Sequence, residues 1–221
     1  MMRFKENNYN KTFVGLSNFI RYICGGDRLN RITKIIDELL TKTYLKKRRR
    51  LKILDFGCGS MEISKKLQNK NYVRQIVGSD IFKHKYMSNK LVYINNEELF
   101  RKNEKFDIIF IVDVLHHVGI EDAHKIIKKL SKLSNKIIIK DHFEHGCLSR
   151  QLLRFVDFYA NYGYGVNIPK KYFIKISWKK TLIKSNCREI LNYKNFQQHD
   201  GLFNFILNKK HHFVSFVLAN E

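Results

Sequence analysis

The sequence predicts a doubly wound α/β fold, a mostly parallel sheet with helices on both faces. Three observations predict it. Short apolar runs alternate with helical stretches through the middle of the chain. Two of those runs, residues 107–112 (Asp-Ile-Ile-Phe-Ile-Val) and 136–140 (Lys-Ile-Ile-Ile-Lys), are apolar at nearly every position, as strands buried on both faces must be. The first strand of the series ends in an acid and two glycines, Asp55, Gly57 and Gly59, and then enters a helix. The length of 221 residues suits one domain, 1–221, with enough chain to bury a core.

The elements follow in order. Leu29, Ile32, Ile35, Ile36, Leu39 and Leu40 recur at helical spacing and predict an amphipathic helix over 29–45, inside an N-terminal helical cap of residues 1–50. Strands are expected at 52–56, 75–79, 91–94, 107–112 and 136–140, with helices at 61–68 and 121–133; together they form a core of residues 51–141. After Asp141 the pattern changes. An aromatic-rich helix is expected at 148–160 and another at 176–185, so residues 142–186 read as a helical insertion. Strands at 189–193 and 212–218 close the chain over 187–221, the last one antiparallel.

Charge and cysteines bound the partners. The formal net charge of +22 invites phosphate, anionic lipid or nucleic acid. A composition rich in Lys, Asn and Ile with a single Pro produces the same excess without function, and the charge is spread along the chain. The run Lys46–Arg50 fits phosphates or an anionic membrane surface, though such a run is more often a solvated helix end that complements the macrodipole. Cys24, Cys58, Cys147 and Cys187 show neither metal-ligand spacing nor a disulfide framework, which fits a reducing, cytoplasmic setting. No apolar run is long enough to span a bilayer, and the polar first residues lack a signal-peptide core.

The segment Ile53-Leu54-Asp55-Phe56-Gly57-Cys58-Gly59-Ser60 carries the most chemistry. Glycines permit a tight turn and let a ligand approach the backbone. A dinucleotide would need a third glycine where Glu62 stands, and Asp55 would repel a pyrophosphate. A cationic ligand with an ammonium and a sulfonium suits Asp55 better. Asp80, about one βαβ unit later in Val-Gly-Ser-Asp-Ile, places a carboxylate where ribose hydroxyls can be held. Either acid alone is a common strand end or helix cap; the pair at this spacing points to S-adenosylmethionine (SAM).

With the further segment Phe-Asp-Ile-Ile-Phe-Ile-Val-Asp-Val-Leu-His-His-Val (106–118), the chain resembles the class I SAM-dependent methyltransferases, a Rossmann-like superfamily, from about Leu51 to Asp141. The resemblance implies SAM as cofactor. It places Asp55, Gly57 and Gly59 on the methionine part, Asp80 and the neighbouring Ile81 on the nucleoside, Asn95 and Asn96 as adenine-side candidates, and Asp113 in the pocket wall. Many members carry a third glycine where this chain has Met61, a side chain expected to tighten the pocket. Beyond Asp141 the chain is similar to a bacterial-type subgroup, through Lys140-Asp141-His142 after the fifth strand, Arg154, Asp157, Asn161, Gly165-Val166, Pro169, Tyr172 and Trp178.

Methyl transfer to a hydroxyl or ammonium needs a base near neutral pH, and His is the usual one. His142 is the first candidate, oriented by Asp141 or Asp157, and His116 the second; His116 and His117 alternatively pack against the cofactor or cap a helix. Asp157, Asn161 and Tyr172 are acceptor-side candidates. The aromatic stretch 155–164 fits an apolar lid over the acceptor and equally a helix core face. No metal is expected, because Asp141, His142, Glu144, His145 and Cys147 match no closed zinc pattern. The expected function is methyl transfer to a small molecule or lipid intermediate. The alternatives are an RNA methyltransferase and a non-catalytic SAM-binding module with anionic partners.

Overall fold

In the computed structural model the described residues are 28–81, 88–161, 166–194, 196–199 and 207–220. The stretch 1–27 of the expected N-terminal cap, with Cys24, lies outside them, as do Tyr162 to Gly165. Seven strands form one sheet in the order β3-β2-β1-β4-β5-β7-β6. They are β1 Leu51–Phe56, β2 Val73–Asp80, β3 Leu91–Asn95, β4 Ile108–Val112, β5 Lys136–His142, β6 Cys187–Lys194 and β7 His212–Ala219. The first five are parallel, and β7 runs antiparallel to both of its neighbours. The last strand is therefore interior, and β6 takes the edge.

Helices cover both faces. They are α1 Arg28–Lys47, α2 Glu62–Leu67, α3 Asn96–Lys102, α4 Leu115–Val118, α5 Ala123–Ser131, α6 Cys147–Asn161 and α7 Lys175–Lys184. Alternate residues of each central strand point to opposite faces, so the core divides in two. Ile53, Ile108, Phe110 and Ile138 pack with Ile32, Ile36, Leu39 and Leu40 of α1. Leu54, Ile109, Ile111, Ile137 and Ile139 pack with Ile127 and Leu130 of α5 and with Trp178 and Leu182 of α7. Each face takes one member of every adjacent apolar pair, which is why unbroken apolar runs encode these strands.

Some boundaries differ from expectation. Helix α3 had no apolar stripe to announce it: of Asn-Glu-Glu-Leu-Phe-Arg-Lys only Leu99 is buried. The helix expected over 121–133 is shorter, and a separate single turn, α4, precedes it. Lys140, Asp141 and His142 do not follow β5; they are its last residues, paired with Val214, Phe213 and His212 of β7.

The basic run falls at the amino-terminal edge of the sheet, just before β1. Part of its charge is spent internally. Lys47 donates to Asp107 at 2.7 Å, and Arg49 donates two hydrogen bonds to the same carboxylate, at 2.6 and 3.1 Å. Among the described residues no helix is long and apolar enough to cross a membrane, and Cys58, Cys147 and Cys187 are free thiols.

Candidate active site

The carboxyl ends of β1, β2, β4 and β5 converge at the opposite edge, where open α/β sheets place their ligands. The turn after β1 is shaped by backbone conformation. Gly57 (φ +72°) and Gly59 (φ +49°) are left-handed, and a Cβ on Gly57 would lie 2.3 Å from Val114 Cγ2. Replacing Gly57 by Ala is therefore expected to cost about 2–4 kcal/mol, from strained φ and overpacking together. Chemical denaturation measures it; an unchanged midpoint would contradict the close approach. The position of the missing third glycine is itself left-handed: Met61 has φ 59° and is fully buried. Its side chain does not narrow the cavity. It runs beneath the turn into the space left by Gly78, where a Cβ would meet Met61 Cε at 2.6 Å.

Two acids flank the turn. Asp55 is buried and accepts from Ser64 Oγ at 2.6 Å; burial pushes its carboxyl up to about 7. Asp80 accepts from the Gly59 N–H at 2.8 Å and so ties β2 to the turn. Ile81 beside it is exposed. Asn95 spends its side-chain oxygen capping α3 (Glu98 N–H, 2.8 Å), and Asn96 Oδ1 accepts from Ser79 Oγ at 2.7 Å.

Two buried polar groups lie beyond the turn. In the first, Asp113 (φ 55°) is ion-paired with Lys140 and with Arg28 of α1, and its Oδ1 lies 3.1 Å from His142 Nε2. Burial alone would raise the Asp113 carboxyl, but Lys140, His142 and Arg28 hold it well below the usual range. His142 Nδ1 lies 3.1 Å from His212 Nδ1. Burial, with the Lys140 charge, pulls His142 below its ordinary value, so the ring is neutral at pH 7.

In the second group, His116 Nδ1 donates to Asp141 Oδ1 at 2.6 Å, and His116 Nε2 lies 3.5 Å from Asp157 Oδ2. The Tyr172 hydroxyl donates to the same Asp157 oxygen. Asp141 and Asp157 thus attend His116, while His142 is oriented by Asp113 and His212; the expected partners of His142 were assigned to the wrong ring. Burial disfavours a charged His116, but the two carboxylates outweigh it and raise the imidazole to about 9.

One cavity of about 710 Å³ joins the glycine turn to the two polar groups; Asp80, Ile81, Asn95, Asn96 and Tyr172 are not in its wall. Its wall includes Asp55, Gly57 and Gly59 of the turn, Asp113, His116, His117 and His142, and Asp157 and Asn161 of α6. Of the aromatic helix, Phe155 and Tyr159 line the cavity, and with Phe158 they also line a second, smaller pocket. Arg28, Gln198, His199 and Leu207 also line it. They come from segments without a motif, and His212, equally distant in sequence, touches His142; nothing in the sequence marked them.

Comparisons with known proteins agree with this geometry. A family model described as "Methyltransferase domain" matches residues 26–180. No curated protein matches the chain. Among solved structures, the chain is similar to 1,6-didemethyltoxoflavin-N1-methyltransferase of Burkholderia thailandensis, with 12% identity, 95% of this chain and 86% of that one covered, and a TM-score of 0.61. It is also similar to magnesium protoporphyrin IX methyltransferase of Synechocystis PCC 6803, with 16% identity, 96% and 100% covered, and a TM-score of 0.56. At these identities the likeness is one of fold.

Proposed function

The chain belongs to the methyltransferase-domain family, and on that premise we propose that it transfers the methyl group of SAM to a small-molecule or lipid-intermediate acceptor held in the same cavity. The observation that carries this reading is the continuity of the cavity: one compartment runs from the glycine turn to the polar groups of β5 and α6. Direct displacement at a sulfonium needs nucleophile, methyl carbon and sulfur in line, and a shared compartment supplies that alignment. The two structural neighbours above are named for the methylation of 1,6-didemethyltoxoflavin and of magnesium protoporphyrin IX. The cavity volume lies in the range of small-molecule sites. The RNA alternative is less favoured, because the densest basic run sits at the opposite edge of the sheet.

In this reading Asp55, Gly57 and Gly59 hold the methionine part of SAM, and Asp80 the ribose. Ile81 and Asn96 serve the adenine side, since Asn95 is committed to its helix cap. Asp113 anchors Arg28, Lys140 and His142 in the pocket wall. Residues 51–141 form the cofactor half and 142–186 the acceptor half, with Asn161 and the Asp157–Tyr172 pair on the acceptor side. His142 takes the acceptor's proton. Asp113 fixes its Nε2–H, and the Nδ1 lone pair, 3.1 Å from His212 Nδ1, is the position that can take a proton. His142→Ala is expected to lower turnover about 10²- to 10⁴-fold with S-adenosylhomocysteine affinity retained; full turnover in the variant would remove His142 from the mechanism. Transfer of radiolabelled methyl from SAM to small molecules, lipids and RNA tests the acceptor class. Labelled RNA with unlabelled small molecules would overturn the reading.

Asp55 gives a pH signature. With its carboxyl raised to about 7, it is largely protonated at pH 6 and largely ionised at pH 8. A ligand ammonium favours the ionised form, so binding below pH 7 must first release a proton. The affinity for S-adenosylhomocysteine is expected to rise about tenfold between pH 6 and 8. Calorimetry in buffers of different ionisation enthalpy measures the proton release; affinity flat across that range would detach Asp55 from the ligand.

A further inference from the structure

The geometry points to a binding site for a first-row divalent transition metal formed by His116, His117 and Asp157. Each of the three offers one ligand atom, and these atoms all lie within 4.8 Å of one another. The tautomers are set from behind. His116 Nδ1–H donates to the Asp141 carboxylate at 2.6 Å, and His117 Nδ1–H donates to the Asn167 carbonyl at 2.9 Å. Both rings therefore turn Nε2 forward. This is the outer-shell arrangement that orients metal-binding imidazoles, one carboxylate and one backbone carbonyl behind the ligands. The third ligand, Asp157, is steadied by the Tyr172 hydroxyl.

A second observation points to a missing ligand. His116 Nε2 is buried and makes no hydrogen bond, in a side chain only 1% exposed; Asp157 Oδ2, at 3.5 Å, is within ion-pair reach alone. Unsatisfied buried nitrogens are rare and call for an explanation. Sequence-adjacent histidines on a long helix diverge, but α4 is a single turn, and the two rings lie with centroids 4.0 Å apart.

Charge agrees. Asp141 and Asp157 bring two negative charges to the group. A divalent ion held between the two imidazoles and Asp157 would balance both. Two imidazoles and one carboxylate suit zinc, iron(II) or cobalt(II) better than magnesium or calcium, which prefer all-oxygen sites. Three protein ligands leave coordination positions open, and all three residues line the cavity. An oxygen or nitrogen of the acceptor would fill them; this last step alone rests on the methyl-transfer reading. The ligands come from α4 and α6, 40 residues apart, and so showed no metal spacing in the sequence.

The test uses tag-free, chelator-treated full-length protein, titrated with Co(II) by visible absorption and with Zn(II) by calorimetry, and in parallel with S-adenosylhomocysteine. One equivalent of metal is expected, with a Co(II) ligand-field band. His117→Ala and Asp157→Asn are each expected to weaken metal binding at least tenfold. Cooperative thermal unfolding of each variant shows that it is folded. Absence of stoichiometric uptake by protein that binds S-adenosylhomocysteine would overturn the site, and so would uptake unchanged in both variants. Metal uptake without S-adenosylhomocysteine binding would sustain the site and remove the methyl-transfer reading.

Discussion

Asp113→Asn is expected to destabilise the fold by about 3–5 kcal/mol, the cost of leaving a buried charge without its partner. The replacement keeps shape and tolerates the left-handed backbone at φ 55°. It removes only the charge that faces Lys140, Arg28 and His142. Lys140 is fully buried on β5 and cannot turn to water. Lys140→Met should cost less, because Asp113 keeps Arg28 and His142, and a well-packed apolar chain often replaces a buried ion at little cost. Urea denaturation of the two variants measures the asymmetry. Equal losses would mean that the pair acts as packing rather than as compensated charge.

Asp80→Ala is expected to weaken S-adenosylhomocysteine binding by about 10- to 100-fold, the range of a charge-assisted hydrogen bond at about 1.5–3 kcal/mol. Two effects combine in it. The variant removes a carboxylate proposed to hold the ribose, and it also frees the Gly59 N–H that Asp80 accepts. Asp80→Asn keeps an acceptor for Gly59 and loses the charge, so it should fall between wild type and Asp80→Ala. Calorimetric titration of the three proteins separates the effects. Wild-type affinity in Asp80→Ala would remove Asp80 from the ligand site.

The sheet was legible in the sequence because its strands are buried on both faces: runs such as 107–112 and 136–140 leave no polar side to confuse the period. The glycine turn was legible for a related reason, since left-handed backbone and the 2.3 Å approach of Val114 leave few residue types usable at Gly57. Helix α3 was not, because it buries a single leucine and stands on its caps. Pairings across the site were not legible either. Asp141 is adjacent to His142 in sequence, yet its carboxylate bonds His116 of α4, while the His142 ring meets Asp113 and His212. Local order placed these residues at the carboxyl edge of the sheet; the partner of each ring was fixed by the approach of α1, α4, α6 and β7. Met61 shows the same limit. Its bulk looked like a pocket constraint, and only the sheet neighbour Gly78 reveals where the side chain goes.

The central claim is that the turn after β1 binds the SAM nucleoside–amino acid. Calorimetric titration of wild-type protein with S-adenosylhomocysteine tests it most directly. The expected result is saturable binding at one site per chain. No heat and no thermal stabilisation, from protein that unfolds cooperatively, would contradict it.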